Sequence, residues 1–187
     1  MRYLLTVKAP RQVRNLALVG FMGTGKSSVG HLVAEELGFA FLDTDALIES
    51  RTGKTITDIF AQAGETVFRQ LEGDVVAGLA AQDRAVISTG GGLVMDPANL
   101  ASLKTHALVV CLWASPETIF YRTSHQHHRP LLQEPDPLSK IRTLLAQREA
   151  AYKKADVLVN TESRSMKEVA QQVLHQFRTA CSASPLP

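Results

Sequence analysis

The segment Gly20-Phe21-Met22-Gly23-Thr24-Gly25-Lys26-Ser27-Ser28 has the residue types and spacing of a phosphate cradle. It fits the pattern G-x-x-x-x-G-K-[ST]. Its glycines let several backbone N–H groups converge on one concavity. The lysine reaches the β- and γ-phosphates, and the hydroxyl after it is an oxygen ligand for Mg²⁺. The apolar run Leu16–Val19 precedes the loop and a helix-length stretch, Lys26–Leu37, follows it, so a helix N-terminus adds its positive dipole. A glycine-rich turn with an exposed lysine is the plainer alternative, and the strand–helix context argues against it. The loop is read as a nucleoside triphosphate site, with Gly23, Thr24, Gly25, Lys26, Ser27 and Ser28 as its contacts.

Three further groups carry chemistry. Asp43 and Asp45 end the second apolar run. If the segment is extended, residues two apart point the same way and both carboxylates face one cleft. One can then hold a Mg²⁺-bound water while the other accepts a proton or hydrogen bond from an acceptor hydroxyl. The alternative is that Asp43 caps the next helix and Asp45 lies in its first turn. The third apolar run, Val86–Ser88, leads through Thr89 into Gly90, Gly91 and Gly92, where backbone can approach a ligand with no Cβ in the way; a loose turn is the alternative. This strand end carries Ser88 and Thr89 instead of an acid, which moves the metal-supporting role to Asp43. Arg69 has Glu65 four residues before it and Glu72 three after. These acids either form surface pairs or hold the guanidinium in a fork for a carboxylate ligand. Arg122 and Arg129 flank a polar stretch that reads as a lid, about residues 123–134, and Arg148 lies on the helix beyond. His125, His127 and His128 crowd the lid, but no fourth zinc ligand is evident. Cys111 reads as core.

The elements that must position these groups follow from the apolar pattern. Short runs at Leu16–Val19, Phe39–Leu42, Ala85–Ser88, Ala107–Trp113 and Val157–Asn160 alternate with helical stretches, as buried parallel strands do. The helices are expected at Lys26–Leu37, Ala46–Arg51, Thr57–Ala63, Glu65–Gln82, Pro97–Leu103, Pro116–Arg122, Leu138–Tyr152 and Met166–Thr179. Asp96-Pro97 and Ser115-Pro116 mark starts, and Gly38 and Gly64 mark stops. The class is α/β with a parallel sheet covered on both faces. The chain has 187 residues, 45% apolar and 20% charged, which fits one compact domain and excludes fibrous and disordered classes. Residues 15–179 form that domain, 1–14 an extension and 180–187 a frayed tail.

Net charge is +2, with five basic and no acidic residues in 1–34 and 15 basic against 18 acidic beyond. This favours a local anion site over a nucleic-acid coat. With two cysteines and no apolar run near 18 residues, a cytoplasmic protein without membrane contact is expected.

In this order, the phosphate loop, Asp-x-Asp, Phe-Arg-x-x-Glu, triple glycine, Arg129-Pro-Leu-Leu and the later Arg148 and Tyr152 closely resemble shikimate kinase over about residues 15–165. The resemblance implies a three-layer α/β fold of the nucleoside-monophosphate-kinase type, with a five-stranded parallel sheet in order 2-3-1-4-5. It implies an ATP-dependent phosphotransferase with an alcohol acceptor, the 3-hydroxyl of shikimate, in aromatic amino-acid biosynthesis. The substrates are then shikimate and ATP, with Mg²⁺ as cofactor and a monomer as the working form. Asp45 becomes the candidate base, beside Lys26 and Arg129 as catalytic cations. Asp43 supports the Mg²⁺ shell through water, and Ser27 ligates the ion. Arg69, Arg148 and Gly90–Gly92 hold the substrate carboxylate side. Arg122 lies against adenine, and a weaker match at Ser163–Ser165 completes that pocket. The sequence departs from the resemblance in lacking a lid glycine within Thr123–His128 and in carrying Lys153 where arginine is frequent. A gluconate-type kinase with the same loop, or a non-catalytic nucleotide-binding relative, are the alternatives.

Overall fold

The computed structural model describes residues 11–124 and 135–182. Five parallel strands form one sheet: β1 (Asn15–Val19), β2 (Ala40–Asp43), β3 (Ala85–Ser88), β4 (Ala107–Trp113) and β5 (Val157–Asn160), in the order β2-β3-β1-β4-β5. Leu18 stands opposite Ser88 on one side and Val110 on the other. Sheet order and class are as expected from the sequence.

Alternation along the strands divides the core. Ala17, Val19, Ile87, Val109 and Cys111 face one layer; Leu16, Leu18, Val86, Val110 and Leu112 face the other. The second layer is covered by α1 (Lys26–Leu37) and α7 (Met166–Ser182). The first is covered by α2 (Thr44–Thr52), α3 (Ile56–Leu79), α4 (Pro97–His106), α5 (Pro116–Thr123) and α6 (Pro137–Tyr152). The central strands are apolar in every position but Asn15 and Ser88 because both faces are buried. Cys111 is core, and burial pushes its thiol up to about 12.

The helices expected at Thr57–Ala63 and Glu65–Gln82 meet at Gly64, whose φ of 79° and ψ of 174° are not helical; the two follow each other across this kink and together make up α3. Other boundaries differ from expectation. α2 begins at Thr44 because the Asp43 side chain caps it. α7 runs to Ser182, so residues 180–182, expected in a frayed tail, are helical; Val169, Val173 and Phe177 hold this helix to the sheet. The first ten residues, the lid segment 125–134 with its three histidines and the last five residues lie outside the described residues. The lid's first expected residue, Thr123, is a buried part of α5. Of the extension, Arg14 donates its backbone N–H to His106, and Arg11 bonds Asp156 (2.7 Å) and the Ala107 carbonyl.

At the sheet's lower end Asn15 is saturated. Its Oδ1 accepts from Ala85 N–H, and its Nδ2 donates to the Gln82 carbonyl and to His106 Nδ1. His106 Nδ1 is therefore the acceptor, and the ring is neutral. Burial first, then Arg14 and Arg11, pull its pKa below 6.5. A lowered folded pKa means that the unfolded chain binds the extra proton. Stability from this site is full above pH 6.5 and declines as pH falls from there toward the folded value. The urea midpoint should drop between pH 7 and pH 5 in the parent protein, and drop less in His106→Gln; equal slopes would exclude His106 as the source.

Candidate active site

A cleft of about 660 Å³ opens beyond the carboxyl ends of β1, β3 and β4, where the sheet order reverses. Its floor is the loop between β1 and α1. Gly20, at φ 135°, brings its Cα so close to β4 that a Cβ would stand 2.3 Å from the Leu112 carbonyl oxygen, so no other residue fits. The buried Thr24 hydroxyl donates to the Phe21 carbonyl (2.8 Å) and shapes the turn, leaving its backbone for a ligand. Lys26 Nζ donates to the carbonyls of Gly20 and Phe21, both at 2.9 Å, which keeps the ammonium over the loop. Gly23, Gly25, Ser27 and Ser28 line the same wall.

Asp43 caps the next helix and also faces the phosphate loop. Its Oδ1 accepts from the N–H groups of Asp45 (3.0 Å) and Ala46 (3.3 Å), capping α2, while Oδ2 lies 3.4 Å from Ser27 Oγ. Ser88 Oγ is also 3.4 Å from that hydroxyl. Asp45 is in the first helical turn, not in an extended segment. The two carboxylates reach one cleft because the chain turns into α2 between them, which corrects the alternation argument. Hydroxyl and carboxylate oxygens beside a phosphate loop are hard donors of the kind Mg²⁺ takes when phosphates and water supply its remaining ligands. Among the described residues no group of three His, Cys, Asp or Glu forms a protein cage for a metal.

The triple glycine separates the nucleotide end from a charged cluster. Gly90 N–H donates to Thr44 Oγ1 (2.9 Å), and a Cβ on Gly90 would lie 2.6 Å from Asp45 Oδ1 and 3.2 Å from Glu72 Oε1. A Cβ on Gly92 would lie 2.7 Å from Arg69 Nη1, and one on Gly91 3.6 Å from Arg148 Nη1. Asp45, Arg69 and Arg148 are thus gathered around Gly90–Gly92, although they come from α2, α3 and α6. Arg69 is held on both sides, by Glu72 (2.6 Å) and Glu65 (2.9 Å). Burial opposes its charge, but the bonds to Glu72 and Glu65 outweigh it and raise its pKa. Glu72 is 1% exposed, so this is no surface pair. Burial raises the Glu72 pKa against the pull of Arg69, and Oε1, pointed at Gly90, has no hydrogen-bond partner. An acid three residues from Arg69 is visible in the sequence; its burial is not.

Arg122 donates to the Thr161 hydroxyl (2.9 Å) and carbonyl (2.7 Å) and approaches the Gly23 carbonyl (3.4 Å), joining α5 and the segment after β5 to the phosphate loop. Arg164, Ser165 and Met166 line that same end of the cleft, and Ser163 makes the turn before them at φ 53°. This is the end expected to take adenine. Thr44 and Thr161 carry these arrangements and stood outside the expected site, whereas Glu72 was expected beside Arg69, as a surface pair or as the group that holds its fork. Arg129 lies outside the described residues.

Comparison with known proteins agrees with this geometry. A family described as shikimate kinase matches residues 22–178. A shikimate kinase of Thermodesulfovibrio yellowstonii is 42% identical over 165 residues, covering 88% of this chain and 95% of its own length. A structure of shikimate kinase from Acinetobacter baumannii in complex with shikimate superposes with a TM-score of 0.84 at 38% identity, over 90% of this chain and 95% of that one. A gluconokinase structure from Sinorhizobium meliloti reaches a TM-score of 0.60 at 20% identity, over 93% of this chain and 97% of that one, a likeness of fold alone.

Proposed function

The chain belongs to the shikimate kinase family, and we propose that its transfer step runs between the phosphate loop and the cluster of Asp45, Arg69 and Arg148 around the triple glycine. The protein is an ATP-dependent phosphotransferase that moves the γ-phosphate of ATP to the 3-hydroxyl of shikimate, giving shikimate 3-phosphate and ADP. The observation that carries the division of labour is the convergence of Asp45, Arg69 and Arg148 on Gly90–Gly92, beside a cleft whose floor is the phosphate loop.

Arg69 and Arg148 take the shikimate carboxylate, which aims the ring hydroxyls back toward Asp45. Two planar forks fix an anion's orientation where lysines would only attract it. Asp45 accepts the hydrogen bond of the 3-hydroxyl and takes its proton as the oxygen attacks phosphorus in line. The loop N–H groups, Lys26 and Arg129 balance charge on the transferring phosphoryl group. The family works with Mg-ATP, and here Ser27 Oγ would ligate Mg²⁺ while Asp43 Oδ2 holds one of its waters. The bound ion would neutralise charge between the β- and γ-phosphates. Capping of α2 through Oδ1 orients Asp43 for this task.

We propose a monomer as the working form and the cytoplasm as its compartment; the two unpaired cysteines, Cys111 and Cys181, support the compartment alone. Among the described residues no helix is long and apolar enough to cross a membrane. Sedimentation of the purified chain at assay concentration tests the monomer. Release of ADP measured with shikimate, gluconate and nucleoside monophosphates tests the acceptor. Turnover confined to shikimate is expected; faster turnover of gluconate, which is also a carboxylate, would overturn shikimate as the acceptor.

A further inference from the structure

Tyr152 is the last residue of α6, 4% exposed and packed in the core with Phe21 and Ile141. It does not line the cleft. Its hydroxyl nevertheless crosses to the triple-glycine loop and donates to the Gly91 carbonyl oxygen at 2.5 Å. Arg148, one helical turn earlier, donates Nη1 to the same oxygen at 3.2 Å. The Arg148 guanidinium is 5.3 Å from the centre of the Phe21 ring, so it lies against an aromatic ring belonging to the phosphate loop. One carbonyl therefore receives two donors from a single helix, and one of those donors is a substrate-binding arginine.

The consequence is stereochemical. No peptide bond in the described residues is cis, so the Gly91 carbonyl and the Gly92 N–H lie on opposite edges of one plane. With the carbonyl drawn toward α6, the Gly92 N–H faces away from it. Glycines on both sides of a peptide leave it free to rotate, because neither carries a Cβ to hinder the turn. Here the Tyr152 hydroxyl, and more weakly Arg148, hold the plane in one orientation.

We propose that Tyr152 is a positioning residue for the acceptor half of the site: its hydroxyl holds the Gly91–Gly92 peptide plane and, through their shared acceptor, the Arg148 guanidinium. It touches no reacting atom. Burial pushes the phenol up to about 12, so the group remains a donor throughout the working pH range. The sequence contains a matching spacing, since Arg148 and Tyr152 are four residues apart on a helix and present side chains to one face. Their common acceptor is 61 residues from Tyr152, which no local pattern reveals.

The inference rests on Arg148 and the triple glycine binding shikimate, and the test separates the two. Tyr152→Phe keeps the ring and its packing and removes only the hydroxyl. The KM for shikimate should rise about five- to tenfold, as for loss of one hydrogen bond, with the KM for ATP within about twofold of the parent value. In an Arg148→Ala background the same change should add less than about twofold, because the guanidinium it helps to hold is gone. A melting temperature that falls while the KM for shikimate stays fixed would make Tyr152 a core residue only and overturn the proposal. So would equal rises in both KM values, or full additivity with Arg148→Ala. Failure of the parent protein to phosphorylate shikimate would instead remove the functional reading beneath it.

Discussion

Replacing Asp45 by asparagine should lower kcat by at least about 10²-fold while leaving the KM for ATP within about a factor of two. The substitution is nearly isosteric, so the side chain still fits beside Gly90, where a Cβ on the glycine would already come within 2.6 Å of Oδ1. What is lost is the capacity to take the proton of the attacking hydroxyl. The cap of α2 is untouched, because Asp43 supplies it through Oδ1. The helix and the nucleotide end of the cleft therefore persist, and a Kd for ATP close to the parent value is the matching binding result. Undiminished turnover would remove Asp45 from proton transfer. A large rise in the ATP constant would instead place it at the phosphates.

Arg69→Ala should act on the other substrate. Loss of one hydrogen-bonded partner of a carboxylate raises the KM for shikimate by about 30- to 1000-fold, or ~2–4 kcal/mol, with little change for ATP. It should also weaken the fold. Glu72 is 1% exposed, and without Arg69 its carboxylate is left buried and uncompensated. A cost of about 1–3 kcal/mol is expected, below the full range for a buried pair because the Arg69 side chain is 34% exposed. The double variant Arg69→Ala/Glu72→Gln separates the effects. It should recover most of the lost melting temperature, since the stranded charge is gone, and recover none of the affinity for shikimate. Restored affinity would mean that Glu72 had been repelling the substrate and that Arg69 only neutralised it. A change confined to the ATP constant would show that the arginines have been divided wrongly between the two substrates.

Much of the site is legible in the sequence because its chemistry is local. Gly20 to Ser28 is a contiguous loop whose function lies in its own backbone, so spacing is sufficient to find it. The class and strand positions follow from apolar runs that have no polar face to show. Asp43 and Asp45 were identifiable as a pair, yet alternation along a strand was the wrong geometry for them. A capping carboxylate ends β2 and starts α2 in a single residue, and an i, i+2 argument cannot detect that. Gly64 is legible as a helix stop, and its non-helical φ and ψ interrupt the helix there; the immediate restart of a second helix across the kink is what a stop signal alone does not show. Glu72 was least legible. Its spacing from Arg69 is that of an ordinary surface pair, and only the approach of the triple glycine from β3 makes it a buried counter-charge. The bulk charge was similarly uninformative: of the five basic residues in 1–34 only Lys26 faces the cleft among those described, and the arginines that orient the acceptor lie in the acidic remainder.

The central claim is that this cleft delivers the γ-phosphate to one hydroxyl of one carboxylated acceptor. Phosphorus NMR of the reaction with ATP, Mg²⁺ and shikimate tests it most directly, because it reads both the fate of the phosphate and the position of the new ester. The account predicts a single phosphate monoester coupled to the proton on carbon 3 of shikimate, formed in step with ADP. Inorganic phosphate alone, or an ester at another carbon, would contradict it.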